Sequence, residues 1–202
     1  MKKDSFMKDA LVLTAITLIS GLLLGVVYGM TKDTIANAIK EATNKAYKVV
    51  LDAADYDSEE LKDTLQKATE EGTLATDNGG AELTDAIVAK DASGETVGYV
   101  LKGHAAGYGG PVVVVVGVDK DLKVTGISFP ETLPEKAGLG QKATLPEFYK
   151  QFAGKTTKIA VKKGGGAGEN EIDAISGATI TSTAVTNTVN ASTEFVENYV
   201  LK

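Results

Sequence analysis

Ser176-Gly177-Ala178-Thr179-Ile180-Thr181 packs three hydroxyl side chains and a glycine into six residues. Hydroxyls both donate and accept hydrogen bonds, and small residues let the backbone come close to a ligand. The hexapeptide lies between a glycine-rich acidic approach, Gly164 to Asp173, and a C-terminal segment with helical apolar spacing. It therefore falls at a helix N-terminus, where free N–H groups and the helix dipole favour a phosphate. Taken alone, these residues support two readings, an anion site and a plain Ser/Thr helix cap.

Other residues with chemical reach are few. The chain has no cysteine, which excludes cysteine-ligated iron–sulfur clusters, disulfides and thiol chemistry. Its one histidine, His104, argues against a multi-histidine metal or haem site and reads as structural or solvated. No catalytic acid or base and no metal ligand is assigned. Gly164-Gly165-Gly166-Ala167-Gly168 is no dinucleotide fingerprint, because no β-α-β pattern surrounds it. A net charge of −6 makes nucleic acid a poor partner.

The elements that must position the hexapeptide begin with a membrane anchor. Ala10 to Thr31 carries no charged residue and is flanked by Lys8-Asp9 and Lys32-Asp33. A helix of that length crosses a hydrocarbon core about 30 Å thick. The run exceeds a signal-peptide core, and Tyr28-Gly29-Met30 is a poor cleavage site. Lys2, Lys3 and Lys8 precede it, which predicts an inside N-terminus and an outside C-terminal part. Gly21, Gly25 and Gly29 share one helix face, a candidate packing stripe.

After the span, Thr34 to Leu51 keeps a helical pattern. Ser58-Glu59-Glu60-Leu61 reads as a second helix start capped by Ser58, with an end near Glu71-Gly72, and Thr76 to Gly80 reads as a loop. Two hairpins follow, Ala86–Asp91 with Thr96–Gly103 and Val112–Val118 with Val124–Phe129. Asp91 and Gly98 repeat the spacing of Asp119 and Gly126. Val112 to Val116 predicts a strand buried on both faces. Leu145 to Phe152 reads as a short helix capped by Thr144, Thr157 to Val161 as a last strand, Lys162 to Gly168 as a flexible glycine loop, and Thr183 to Leu201 as a helix on the sheet. The expected fold is α+β: a single transmembrane helix and an outer domain with a mainly antiparallel sheet packed by helices. The expected division is 1–9 inside, 10–31 in the bilayer, 32–80 a helical connector and 81–202 the ligand domain.

The hexapeptide resembles the flavinylation motif Ser/Thr-Gly-Ala-Ser/Thr-x-Ser/Thr of the FMN-binding domain found in the G subunit of Rnf complexes and in the C subunit of the sodium-pumping NADH:quinone reductase. All fixed positions match. Gly107-Tyr108-Gly109-Gly110-Pro111 before the valine strand is similar to the family's Gly-Tyr-x-Gly segment, and Asp173-Ala174-Ile175 is typical of the approach to the motif. Glu131-Thr132 and Gly138-Leu139-Gly140 resemble the two halves of its Glu-Thr-Pro-Gly-Leu-Gly flavin loop, with Leu133 to Ala137 as an insertion. The resemblance covers about Ala81 to Lys202, and the anchor fits the same architecture.

The resemblance implies covalent FMN on Thr181 through a phosphoester. Ser176, Gly177, Ala178 and Thr179 would shape the approach, and Glu131, Thr132, Gly138, Leu139 and Gly140 would contact the other side of the cofactor. It further implies a separate FMN transferase using FAD and Mg²⁺, partner subunits of an Rnf-type ferredoxin:NAD complex in the cell membrane, and a role as an electron carrier. Two alternatives stand beside it: the C subunit of the quinone reductase, and a non-redox anchored ligand-binding or scaffold domain in which Thr181 is never modified.

Overall fold

The computed structural model of the chain describes residues 3–156 and 158–202. Lys2, part of the basic N-terminus, and Thr157, at the start of the expected last strand, lie outside the described residues.

The chain divides into two compact units, Met1–Glu41 and Ala42–Lys202. The first consists of most of helix α1, Lys3–Val50. Its stretch Met7–Ile35 is long and apolar enough to cross a membrane, with none of it buried.

The second unit is built on a five-stranded antiparallel sheet in the order β1 (Asp55–Asp57), β2 (Glu82–Lys90), β3 (Thr96–Ala106), β4 (Pro111–Asp119) and β5 (Val124–Ser128). The valine run forms interior strand β4, and alternation sends its side chains to two cores. Val112, Val114, Val116 and Val118 pack with Val185, Val189 and Phe195 of helix α5 (Thr179–Phe195). Val115 points the other way, among Ala46, Tyr47 and Val50 from the end of α1. Burying each such valine contributes about 1.5–3 kcal/mol. The Thr125 hydroxyl donates to the Val50 carbonyl and ties the end of α1 to β5. Burial in this second core, with Asp85 adding to it, pushes the Tyr47 hydroxyl up to about 12.

Both hairpin turns close in one way. Asp91 Oδ1 accepts the N–H of Ser93 and Glu95, and Asp119 Oδ1 accepts those of Asp121 and Lys123. The shared spacing of the two aspartates is thus a shared turn chemistry.

Helix boundaries differ from the sequence reading. Ser58 is not the cap. Asp57 Oδ1 takes the N–H of Glu59 and Glu60, at 3.0 and 3.2 Å, and helix α2 (Lys62–Glu71) starts a turn later, ending on left-handed Gly72. The Thr76–Gly80 loop is partly helical, since α3 spans Thr73–Asp77. Thr144 does not cap α4 (Pro146–Tyr149); it ends a preceding 3₁₀ turn, Gly140–Thr144, and its hydroxyl bonds back to Gln141. A small parallel pair, β6 (Ala160–Lys162) with β7 (Glu171–Asp173), brackets the glycine loop and leads into the hexapeptide. Helix α5 begins at Thr179 rather than Thr183 and continues as a π turn to Val200.

Candidate functional site

The early start of α5 places Thr179, Ile180 and Thr181 in its first turn, with Ala178 as the residue before it. No side chain caps this helix, so the cap reading fails here. Ser182 does the local bracing: its Oγ accepts the Ile175 N–H and donates to the Ala178 carbonyl, both at 3.0 Å.

Thr181 is 1% exposed, and its Oγ1 is buried without a hydrogen-bond partner. The other buried hydroxyls of the helix, Ser182, Thr186, Thr188, Ser192 and Thr193, all donate to the carbonyl four residues back. Leaving a buried hydroxyl unpaired costs about 1–3 kcal/mol. Among the described residues only Thr43 shares that state, and Thr43 lines none of the cavities described here.

Thr181 lines a cavity of about 450 Å³ together with Gly177, Ala178, Thr179 and Ile180, and with Tyr108, Glu135, Lys136, Leu139 and Gly140 across from them. Its walls come from three chain segments: the start of α5, the glycine turn before β4, and the loop after β5. Glu135 is only 8% exposed and joins the second to the third. Its Oε1 accepts the N–H of Tyr108 at 2.8 Å and of Gly109 at 3.4 Å. The turn must be glycine to sit there. A Cβ on Gly107 would strike the Glu135 carboxylate, and one on Gly109 would strike the Pro134 carbonyl. Tyr108 itself stands 76% exposed on the cavity rim.

Of the residues singled out from sequence, Thr181, Gly177, Ala178, Thr179, Leu139 and Gly140 meet in this cavity. Gly138 adjoins it in a left-handed conformation (φ +77°) that suits glycine. Ser176 instead lines a neighbouring cavity of about 400 Å³ with Lys142, Leu145 and Asp173. Glu131 and Thr132 are not brought to Thr181; they line a cavity of about 540 Å³ with Val49, Phe129 and Tyr149. Buried Leu133 lines that cavity with them.

The acid brought to this cavity is Glu135, which lies within Leu133–Ala137, the segment read as an insertion. Glu135-Lys136-Ala137-Gly138-Leu139-Gly140 keeps a glutamate three residues before Gly138 with no gap, as in Glu-Thr-Pro-Gly-Leu-Gly. That uninterrupted spacing was the available signal for it. Glu131-Thr132 matches the first two residue types but lies outside this cavity.

His104 sits on β3 with its Nε2 3.7 Å from Glu82, outside the cavity lining. No group of three or more metal-ligating side chains occurs among the described residues.

Residues 107–194 match the family model of the FMN-binding domain, and residues 1–50 match that of the RnfG N-terminal region. The chain is 36% identical to the G subunit of the Na(+)-translocating ferredoxin:NAD(+) oxidoreductase complex of Acetobacterium woodii, over 95% of this chain and 91% of that one. It is 28% identical to the proton-translocating counterpart of Clostridium ljungdahlii over 93% and 89%. The C subunit of the Na(+)-translocating NADH-quinone reductase of Haemophilus ducreyi is 34% identical over 53% of this chain and 45% of its own. A crystal structure of the same kind of subunit from Parabacteroides distasonis superposes with a TM-score of 0.49 at 26% identity, covering 68% of each chain.

Proposed function

This chain belongs to the G-subunit family of Rnf-type ion-translocating oxidoreductase complexes, and we propose that it carries FMN covalently on Thr181 and relays electrons within such a complex. One observation carries the attachment reading: the Thr181 hydroxyl is buried and unpartnered on a residue that lines a cavity at a helix N-terminus. A phosphoester on Oγ1 removes the hydroxyl proton that finds no acceptor. The first-turn N–H groups of α5, which no side chain caps, are suited to the phosphate oxygens.

The chain's own residues supply position and shape. Gly177, at φ +76°, lets the backbone turn tightly into the helix, and Leu139 packs on it. Ser182 ties the first turns of α5 to Ile175, just before the hexapeptide. Glu135 holds the Tyr108 turn at the mouth of the cavity. FMN supplies the chemistry of accepting and donating electrons. A covalent bond keeps it in place in a compartment with little free FMN, loaded by a separate FMN transferase.

Residues 10–31 anchor the chain in the cell membrane as a single span. Lys8, with Lys2 and Lys3, supports a cytoplasmic N-terminus and an extracytoplasmic domain. The partners are the other membrane subunits, with the Gly21, Gly25 and Gly29 face as a packing stripe. The quinone-reductase alternative is the weaker reading, since that relative aligns over 53% of this chain, whereas the two Rnf-type relatives above align over 95% and 93% of it. Co-expression with an FMN transferase and in-gel fluorescence after denaturation tests the reading. The wild type glows and Thr181→Ala is dark. A dark wild type beside an active transferase favours the scaffold alternative.

A further inference from the structure

The Thr181 oxygen has to be reached before it can be esterified, and the fold shuts it in. Gly140 lies directly over it: a Cβ on Gly140 would come within 2.7 Å of Thr181 Oγ1 and would strike the Glu135 carboxylate. Leu139 packs on Gly177, where a Cβ would meet its Cδ2 at 3.0 Å. The outer face of the same segment is open, with Lys136, Ala137 and Gly138 exposed. Its internal bonds are local, from the Leu139 and Gln141 N–H groups to the Lys136 carbonyl. What fastens it to the rest of the domain on this side is Glu135, through the Tyr108 and Gly109 N–H groups.

We propose that Lys136–Gly140 is a strap over the modification site, latched by Glu135 to the Tyr108-Gly109 turn, and that the strap must lift for Thr181 to react. This deepens the Thr181 reading and rests on it for its purpose, but the motion is measurable without flavin. Lifting gives up two backbone hydrogen bonds to one carboxylate and the Leu139–Gly177 contact, while the five strands and α5 stay packed. Left-handed Gly138 lies in the middle of the segment that moves. Attachment of any group to Oγ1 needs the space that Gly140 now fills, so the loaded chain holds the strap away from its unloaded seat.

The chain has no native cysteine, so single thiols report accessibility cleanly. Thr181→Cys is introduced into the full chain in detergent, without flavin, and its reaction with a soluble maleimide is timed. Ile180→Cys, at an exposed neighbour, and Val185→Cys, at a fully buried site on the same helix, bracket it. The expected result is labelling of Thr181→Cys at least tenfold slower than Ile180→Cys. Adding Glu135→Ala should speed it severalfold and leave Val185→Cys protected. Labelling of Thr181→Cys as fast as Ile180→Cys overturns the strap. So does an unchanged rate with Glu135→Ala, or an equal gain at Val185→Cys, which would make the opening global. In parallel, transferase should load unlabelled Glu135→Ala at a higher initial rate than wild type. Failure to load Thr181 in either chain sinks the attachment site alone, because the thiol rates stand independently of it.

Discussion

The first turn of α5 and the turns that follow are made of the same small and hydroxyl residues, yet their hydroxyls have different fates. From Ser182 onward each buried hydroxyl bonds to a carbonyl of its own helix, which lets a polar sequence lie against the valine face of β4. Thr181, one residue earlier, has none. Within this helix residue type and burial are shared, and the missing partner sets Thr181 apart; unlike Thr43, which also lacks one, it lines a cavity.

The sharpest way to break this comparison is to delete one hydroxyl from each region while keeping the shape. Thr181→Val should abolish covalent flavin and leave the unloaded chain as stable as wild type or about 1 kcal/mol more stable, since an unsatisfied group is lost. Thr188→Val should keep the flavin and lose about 1 kcal/mol, since a satisfied group is lost. Denaturant unfolding with in-gel fluorescence reads both. A destabilised Thr181→Val would mean that its hydroxyl has a structural partner.

A second pair concerns the strap. Gly140→Ala places a methyl against Glu135 and Thr181 and should destabilise by about 1–3 kcal/mol, as overpacking does. Gly138→Ala meets no atom and costs only its left-handed backbone, about 1–2 kcal/mol. The signature that separates them is thiol exposure of Thr181→Cys, which Gly140→Ala should raise more. Equal effects would place the strain in the backbone rather than under the strap.

The smallest expected effect is a pH dependence that belongs to the sheet and not to α5. Lys90, then the Glu59 and Glu60 N–H groups, hold the Asp57 carboxyl below its usual range. The Ser93 hydroxyl and the Glu95 N–H do the same for Asp91. Both groups release protons more readily in the folded chain. Their stabilisation is therefore present above the ordinary aspartate value near 3.8 and is lost as pH falls through their lower folded values. Unfolding midpoints should drop below about pH 4, and Asp57→Asn with Asp91→Asn should flatten the drop. Both sites are open to solvent, so the change should be modest.

Much of the fold was legible because its signals are local and periodic. The uncharged run gave α1, alternation and turn residues gave both hairpins, and five consecutive valines gave the interior strand. Three-residue strands such as β1 and β7 carry no period to read. The Ser58 cap failed because Asp57 takes the N–H groups of Glu59 and Glu60 in a turn, and α2 starts after it with no side-chain cap. The start of α5 was set too late because Ser and Thr favour turns locally, whereas packing on β4 carries the helix back to Thr179. At the site the hexapeptide was plain, but Glu135 was not. Its contacts to Tyr108 and Gly109 span more than twenty residues, and Glu131-Thr132 offered a closer match by type.

The most direct measurement is peptide mass mapping of the chain made with an active FMN transferase. The account predicts one modified peptide, heavier by FMN less one water, with fragment ions placing the group on Thr181 and leaving Ser176, Thr179, Ser182 and Thr183 unmodified. Flavin on any of those four, or a fully unmodified chain, would contradict it.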